Sequence, residues 1–206
     1  MTTQPTAYPS RNVLTAVVAV CAGLAVNGLV LSPAWLLAPA ELFSQTAANP
    51  AFALTQRISW VLVTALLVLM PPLLRVGPRR TPPAWLVPVA QLALAGQATT
   101  HFAQGFVAPW LAQVQPNLLD IPGGAFQAVS IGIWVAFAVA MVVVAVVLRR
   151  AGHSTVGCVL MAVGAAAVSG FGPIGAGLLA VGLGLVALRL LPGRSPAPVS
   201  PAPATA

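Results

Sequence analysis

The chain has 206 residues, of which 59% are hydrophobic and only 5% are charged, and its mean hydropathy is +0.96. A water-soluble domain could not cover its surface with so few charges, so the composition excludes an ordinary soluble protein and indicates an integral membrane protein. Nine basic and two acidic residues give a formal net charge of +7. Because the basic residues lie at the ends of apolar runs and not in one patch, they indicate membrane topology and not nucleic-acid binding.

Six apolar runs are predicted to cross the bilayer as three helical hairpins. The first run follows Arg11 and has about the 20 residues that cross ~30 Å of hydrocarbon. A signal peptide ending near residues 38–40 is the alternative, but this run is longer than most secretory apolar regions, so we interpret it as a retained span. The predicted spans are 12–31, 58–76, 84–105, 127–148, 155–169 and 174–191.

The segments between these runs contain turn and interface signals. Residues 32–56 are predicted to form a loop with Trp35 that lies along the lipid headgroups. Residues 77–83 are rich in Gly, Pro and Arg, which predicts a short basic turn, and the loop 106–126 contains the sequence IPGG at residues 121–124, suited to a type II bend.

The last apolar region, residues 155–191, is too long for a single span. As one helix it would be about 55 Å long, nearly twice the hydrocarbon thickness. The sequence GFGP at residues 170–173 is predicted to break it into two short spans.

The arginines support this count. With the N-terminus in the cytoplasm, eight of them lie inside and only Arg57 lies outside, as the positive-inside rule predicts. Residues 1–11 are then a cytoplasmic N-terminal segment, 12–191 a six-span domain of the cell membrane, and 192–206 a disordered cytoplasmic tail. The inside arginines are Arg11, Arg75, Arg79, Arg80, Arg149, Arg150, Arg189 and Arg194.

The first two hairpins also resemble each other in sequence. Alanine, tryptophan and arginine recur with the same spacing, and NGLV with PAWL near residues 27–36 resembles QGFV with PWL near residues 104–111. These matches indicate a parallel internal repeat, with the alternative that Trp and Arg simply mark the bilayer boundaries. The equally spaced residues are Ala51, Trp60 and Arg75, and Ala125, Trp134 and Arg149.

The third span has one polar face. At 3.6 residues per turn its small and polar side chains share an arc of about 100°, which is predicted to pack inward, while Leu92 and Phe102 point elsewhere. These polar groups form either a solute cavity or interhelical hydrogen bonds. The candidate polar site consists of Gln97, Thr100, His101 and Gln104, with Asn27 of the first span as a possible partner.

An outer-face charge cluster of Glu41, Arg57 and Asp120 is predicted near His101. A histidine with two carboxylates is a possible metal set, but the spacing matches no ligand motif, so we predict a structural polar cluster and no metal.

No catalytic constellation is legible, which predicts a protein that is not an enzyme and has no cofactor. Ser130 lacks an oriented base and an oxyanion hole for hydrolysis. His101 and His153 are predicted on opposite sides of the membrane, so they could not share a haem. Cys21 and Cys158 belong to no C-x-x-C motif and are predicted to be small core residues.

The final hairpin is rich in glycine, which predicts close helix packing, with homodimerisation as the weaker alternative. The residues concerned are Gly164, Gly175, Gly177, Ala180, Gly182 and Gly184.

From the third span onward, the chain resembles a group of uncharacterised small multi-spanning membrane proteins of high-GC Gram-positive bacteria. The features that carry the resemblance are the sequence HFAQGFVAPWLAQVQPNLLD, a fourth span ending LRRAG and the broken hairpin. The resemblance implies topology and no activity. We therefore expect a non-enzymatic binding, partner or regulatory membrane subunit, which contacts the lipid bilayer and a protein partner or further copies of itself. The alternative is a small-solute transporter component with an outward-facing polar pocket, since six spans in about 200 residues resemble the substrate-binding subunits of vitamin transporters.

Overall fold

The structure is a computed structural model that describes residues 8–38, 40–122 and 124–191. Residues 1–7 of the predicted N-terminal segment, one residue of the alternative cleavage site and the whole predicted tail 192–206 lie outside these ranges.

The described residues form α-helices and contain no β-strand, which confirms the all-α class. Two π-helical turns, Asn27–Leu31 and Ala103–Val107, interrupt the helical path, and a short 3₁₀ turn covers Pro116–Leu118. The α-helices are α1 (Arg11–Val26), α2 (Pro33–Leu36), α3 (Phe43–Ala48), α4 (Pro50–Leu74), α5 (Leu86–Phe102), α6 (Ala108–Val114), α7 (Ala125–Arg150), α8 (Thr155–Phe171) and α9 (Pro173–Leu188).

Helix starts follow from side-chain caps in the sequence. Ser10 accepts a hydrogen bond from the backbone N–H of Val13, and Asn49 accepts one from Ala51, with Pro50 as the first residue of α4. This Asn-Pro start places the beginning of α4 eight residues before the predicted span 58–76. The predicted loop 32–56 therefore contains α2, α3 and the first two turns of α4.

The six longer helices form a closed ring. Each of α1, α4, α5, α7, α8 and α9 packs against the next in chain order, and α9 returns to pack against α1. One continuous apolar core, with fully buried Leu66, Met141 and Leu183 among its members, fills the ring. Three helical segments, Arg11–Leu36, Pro50–Leu74 and Gln127–Arg150, are long and apolar enough to cross a membrane, whereas α8 and α9 are shorter apolar helices.

Glycines bring the last hairpin and α1 into close contact. The chain breaks at Gly172, which has a φ of 45°, and α9 begins at Pro173, within the segment where the sequence predicts a break. A Cβ at Gly164 would overlap the backbone of α9, and one at Gly28 would overlap the backbone carbonyl of Pro173. The predicted close packing of this hairpin is confirmed, and the glycines that produce it face neighbouring helices of the same chain.

The two ends of the ring differ. At one end, which we call the cap end, α2, α3 and α6 cover the ring and share a small apolar cluster that includes Trp35, Phe52 and Leu119. At the other, arginine end, the turn after α7 docks on the turn before α5, since the carbonyl of Ala151 accepts hydrogen bonds from the backbone of Arg79 at 2.9 Å.

Candidate functional site

A cavity of about 260 Å³ lies inside the ring at its cap end. All six ring helices and the cap helices α2 and α3 contribute to its wall. Its volume is close to the lower end of the roughly 300–1,000 Å³ typical of small-molecule sites. The polar residues of the wall are Ser32, Thr46, Gln56, Ser59, Gln97, His101 and Gln104.

His101 joins two glutamines in this wall. Its Nδ1 lies 2.6 Å from Oε1 of Gln56 on α4, and its Nε2 lies 3.3 Å from Nε2 of Gln97 on α5. The Gln56 oxygen can only accept, so Nδ1 carries the proton and Nε2 accepts from the Gln97 amide. The histidine is thereby held neutral in one tautomer, with both ring nitrogens engaged.

Several polar groups near the cavity have no partner in the described part of the chain. Oε1 of Gln97 and Nε1 of Trp35 are buried and make no hydrogen bond. The side chain of Gln104 is only 4% exposed and makes no hydrogen bond to a described residue, although it lines the cavity. Buried polar groups are ordinarily paired, so unpaired ones at a cavity indicate a place where another molecule binds.

Aromatic rings make up much of the remaining wall. The ring of Phe52 lies 4.9 Å from that of Trp35 and 6.0 Å from that of Phe43, both in edge-to-face geometry. Such rings offer flat apolar surfaces against which another ring can pack. The aromatic lining residues are Trp35, Phe43, Phe52, Trp134, Phe137 and Phe171.

Gln97, Thr100 and Gln104 of the polar face predicted for the third span are buried, His101 is partly exposed, and the face divides into two parts. Gln97, His101 and Gln104 line the cavity, whereas the hydroxyl of Thr100 donates to the carbonyl of Gly96 within its own helix at 3.2 Å. Leu92 is 77% exposed, on the opposite face.

Asn27 has different partners from those predicted. Its Nδ2 donates to the Thr55 carbonyl at 2.9 Å and to the Ser59 hydroxyl at 2.7 Å, both on α4, and its backbone carbonyl accepts from the Ser32 hydroxyl at 2.8 Å. Asn27 therefore fixes the first π-helical turn to α4 beside the cavity, without lining it.

The predicted outer-face charge cluster is not brought together as one set. Asp120 accepts hydrogen bonds from Ser44, and only the backbone of Glu41 is engaged, by the side chain of Gln45. Arg57 donates from Nε to the carbonyl of Gly105 at 2.9 Å, and its guanidinium lies 4.9 Å from the ring centre of Phe106. Among the residues described, no ion pair joins Arg57 to either carboxylate, and the guanidinium instead contacts the Gly105 carbonyl and the Phe106 ring.

The remaining titratable candidates lie away from this set. No three His, Cys, Asp or Glu side chains of the described ranges converge on a possible metal position. Cys21 and Cys158 are buried, unpaired thiols. His153 lies at the arginine end, where Nε2 donates to the Val76 carbonyl at 2.8 Å. Burial lowers the pKa of His153, and this hydrogen bond opposes the shift.

Gln56, Ser59 and Trp35 are among the contributors to the site that sequence reasoning missed. Gln56 and Ser59 share the inward face of α4 with Phe52, Val63 and Leu66. The Asn49-Pro50 helix start is the signal that could have placed them on a helix. The sequence predicts Trp35 at the headgroups, whereas in the structure α2 continues the first long helix and Trp35 lines the cavity.

No protein-family model, curated protein or solved structure matches the chain. The functional conclusion therefore depends on the geometry of the site.

Proposed function

We propose that this is a non-enzymatic integral membrane protein that binds a small, mainly apolar molecule in the cavity at the cap end of its helical ring. One observation carries the proposal: Gln97, His101 and Gln104 border a cavity, and among the described residues only His101 of these three hydrogen-bonds to another helix. A packed interface would satisfy Gln97 and Gln104 with interhelical hydrogen bonds. In the described part of the chain the Gln97 oxygen has no partner.

The proposal includes six membrane spans, with both termini in the cytoplasm. The ring contains six helices, and the described arginines other than Arg57 flank the ends of α4, α7 and α9 and the starts of α1 and α5. The positive-inside rule then assigns the arginine end to the cytoplasm and the cap end to the outer surface. In this orientation the cavity lies in the outer half of the membrane.

A parallel internal repeat of the first two hairpins forms part of the proposal. The two π-helical turns fall in the two segments whose sequences resemble each other, and each contains a buried amide side chain, Asn27 or Gln104. In each, the next residue is a glycine packed against another helix, Gly28 on α9 and Gly105 on α4. The likeness stops at the tryptophans, since Trp134 lines the cavity and Trp60 packs against the rings of Phe102 and Phe106.

A component of a small-solute transporter is the second candidate function. The location of the cavity at the proposed outer end favours it, because an extracellular solute would enter there. Uptake of a bound compound by proteoliposomes containing the protein would support transport. Binding without uptake would leave a binding or regulatory subunit, with a partner or a second copy of the chain as the other component.

The test is a thermal-shift screen of the purified full chain against a metabolite library, followed by two matched variants. Ala176 lines the cavity, and Ala176→Phe fills it, whereas Ala22 is exposed on α1, and Ala22→Phe adds the same ring outside. We expect compounds that stabilise the wild type to stabilise Ala22→Phe equally and to lose their effect on Ala176→Phe. Compounds that shift all three proteins alike, or a screen without any stabilising compound, would contradict the proposal.

A further inference from the structure

The cavity wall also defines the chemistry of its ligand, and this inference rests on the proposed function. The described lining residues include no Asp, Glu, Lys or Arg. A charged ligand would remain uncompensated in such a site, which costs far more than burying a neutral polar group that finds a hydrogen-bond partner. The ligand is therefore neutral.

Two of the wall groups without a partner among the described residues belong to amides, and a third is the indole N–H of Trp35. Gln104 offers a whole carboxamide, an N–H₂ donor beside a C=O acceptor, and Gln97 offers its oxygen. Gln56 uses its oxygen to accept from His101. His101 contributes no free group, since both of its ring nitrogens are engaged.

The backbone around Gln104 strengthens this assignment. Gln104 lies in the π-helical turn Ala103–Val107. The next residue, Gly105, packs closely on α4, since a Cβ added to it would lie 3.1 Å from the backbone nitrogen of Arg57. Single π-helical turns inside α-helices occur frequently at functional sites because they displace one side chain from the regular helical path. The side chain placed here is an amide with no partner among the described residues.

We infer that the cavity binds a neutral, flat ring compound with a lactam edge, an N–H next to a C=O, which pairs with the carboxamide of Gln104 while the ring packs against the aromatic wall. A carboxamide can donate to the ligand C=O and accept from its N–H at the same time, as a glutamine does when it reads an adenine edge. Trp35 and Phe52 belong to the aromatic part of the cavity wall, against which such a ring can pack.

The probes are 2-quinolone, which has a lactam edge, and N-methyl-2-quinolone, which has the same ring without the N–H donor. Binding is measured by quenching of tryptophan emission from the full chain in lipid nanodiscs, with empty nanodiscs subtracted, since Trp35 and Trp134 line the cavity. We expect the wild type to bind 2-quinolone at least about tenfold more tightly than N-methyl-2-quinolone. This is the ratio expected when one buried polar group loses its hydrogen-bond partner.

The variant Gln104→Leu is expected to bind both compounds with about equal affinity, and to bind the N-methyl compound as the wild type does. Gln91 lies on the same helix outside the described cavity wall, so Gln91→Leu is the matched control and is expected to keep the tenfold preference. The wild type could instead bind both probes equally, with Ala176→Phe abolishing the binding of both. That result would overturn the lactam inference and leave the proposed binding function intact. Binding of neither probe would also overturn the inference, and the proposed function would then be judged by the metabolite screen alone.

Discussion

The carboxylate of Asp120 accepts two hydrogen bonds from Ser44, one from its backbone N–H at 2.9 Å and one from its hydroxyl at 2.5 Å. Ser44 belongs to the first turn of α3, and Asp120 lies 76 residues later in the loop before α7. A carboxylate at the start of a helix satisfies a free N–H and interacts favourably with the helix dipole. Because Phe43 and Thr46 of α3 line the cavity, this contact holds the α3 part of the cavity wall in place.

Replacing Asp120 is therefore expected to loosen α3 selectively. Asp120→Ala should destabilise the helix by about 0.5–2 kcal/mol, the usual cost of losing a helix cap, and increase hydrogen exchange of the amides in α3 but not in α4. Glu41→Gln is the control, since the side chain of Glu41 is exposed and only its backbone is bonded. Unchanged hydrogen exchange of the α3 amides in Asp120→Ala would show that this contact does not hold α3 in place.

The bond from Arg57 to the Gly105 carbonyl gives a second prediction. Arg57→Leu removes this bond at the second π-helical turn and the contact with the Phe106 ring, so we expect a loss of about 1–3 kcal/mol in the free energy of unfolding. Unfolding in detergent by added SDS, followed by circular dichroism, measures it. Arg75→Leu removes an exposed arginine at the other end of α4 and should lower the free energy of unfolding by less. Equal losses of unfolding free energy in the two variants would contradict a specific role for Arg57.

Two glycines in equivalent helical settings test the close packing of the last hairpin. A Cβ at Gly164 would overlap the backbone of Leu179, whereas one at Gly132 meets no atom within 4 Å. We expect Gly164→Ala to destabilise the protein by about 1–3 kcal/mol through overpacking. Gly132→Ala should stabilise it by roughly 0.4–1 kcal/mol, because alanine restricts the unfolded chain. Thermal melting in detergent compares them, and similar melting temperatures would argue against the α8–α9 contact.

Stability is also expected to depend on pH through His153 at the arginine end. Burial lowers its pKa in the folded state, so as the pH falls below about 6.5 the unfolded state binds a proton that the folded state resists. The stabilisation is complete above that pH and declines below it. His153→Asn retains a hydrogen-bond donor for the Val76 carbonyl and should melt with a smaller dependence on pH between 7.5 and 5.5. Equal dependence in both proteins would contradict this assignment.

Much of the fold follows from local signals. The sequence predicts the break within residues 170–173 because a Gly-Pro pair cannot continue a helix, and α9 begins at Pro173. It also predicts which face of α5 is buried, since helical periodicity separates Gln97 from Leu92. These features depend on a few neighbouring residues, so no knowledge of the tertiary structure is needed.

The cavity, in contrast, depends on contacts between distant segments. Hydropathy alone places the start of the second span at residue 58, because Gln56 and Arg57 interrupt the apolar run, and this hides the inward face that includes Gln56 and Ser59. No sequence signature marks the π-helical turns, although the sequences of the two segments that contain them resemble each other. Trp35 reaches the cavity because α2 continues the first long helix beyond the π-helical turn and packs against α4, which tertiary packing determines.

Cysteine accessibility tests most directly whether the cavity lies in the outer half of a six-span membrane protein. In a background with Cys21→Ala and Cys158→Ala, single cysteines replace Gln45 on α3, Phe171 at the α8–α9 turn, and Ala84 before α5. Intact cells are then treated with a membrane-impermeant maleimide. Our account predicts labelling of Gln45→Cys and Phe171→Cys in intact cells, and labelling of Ala84→Cys only after permeabilisation. Labelling of Ala84→Cys in intact cells, or of Phe171→Cys only after permeabilisation, would contradict it.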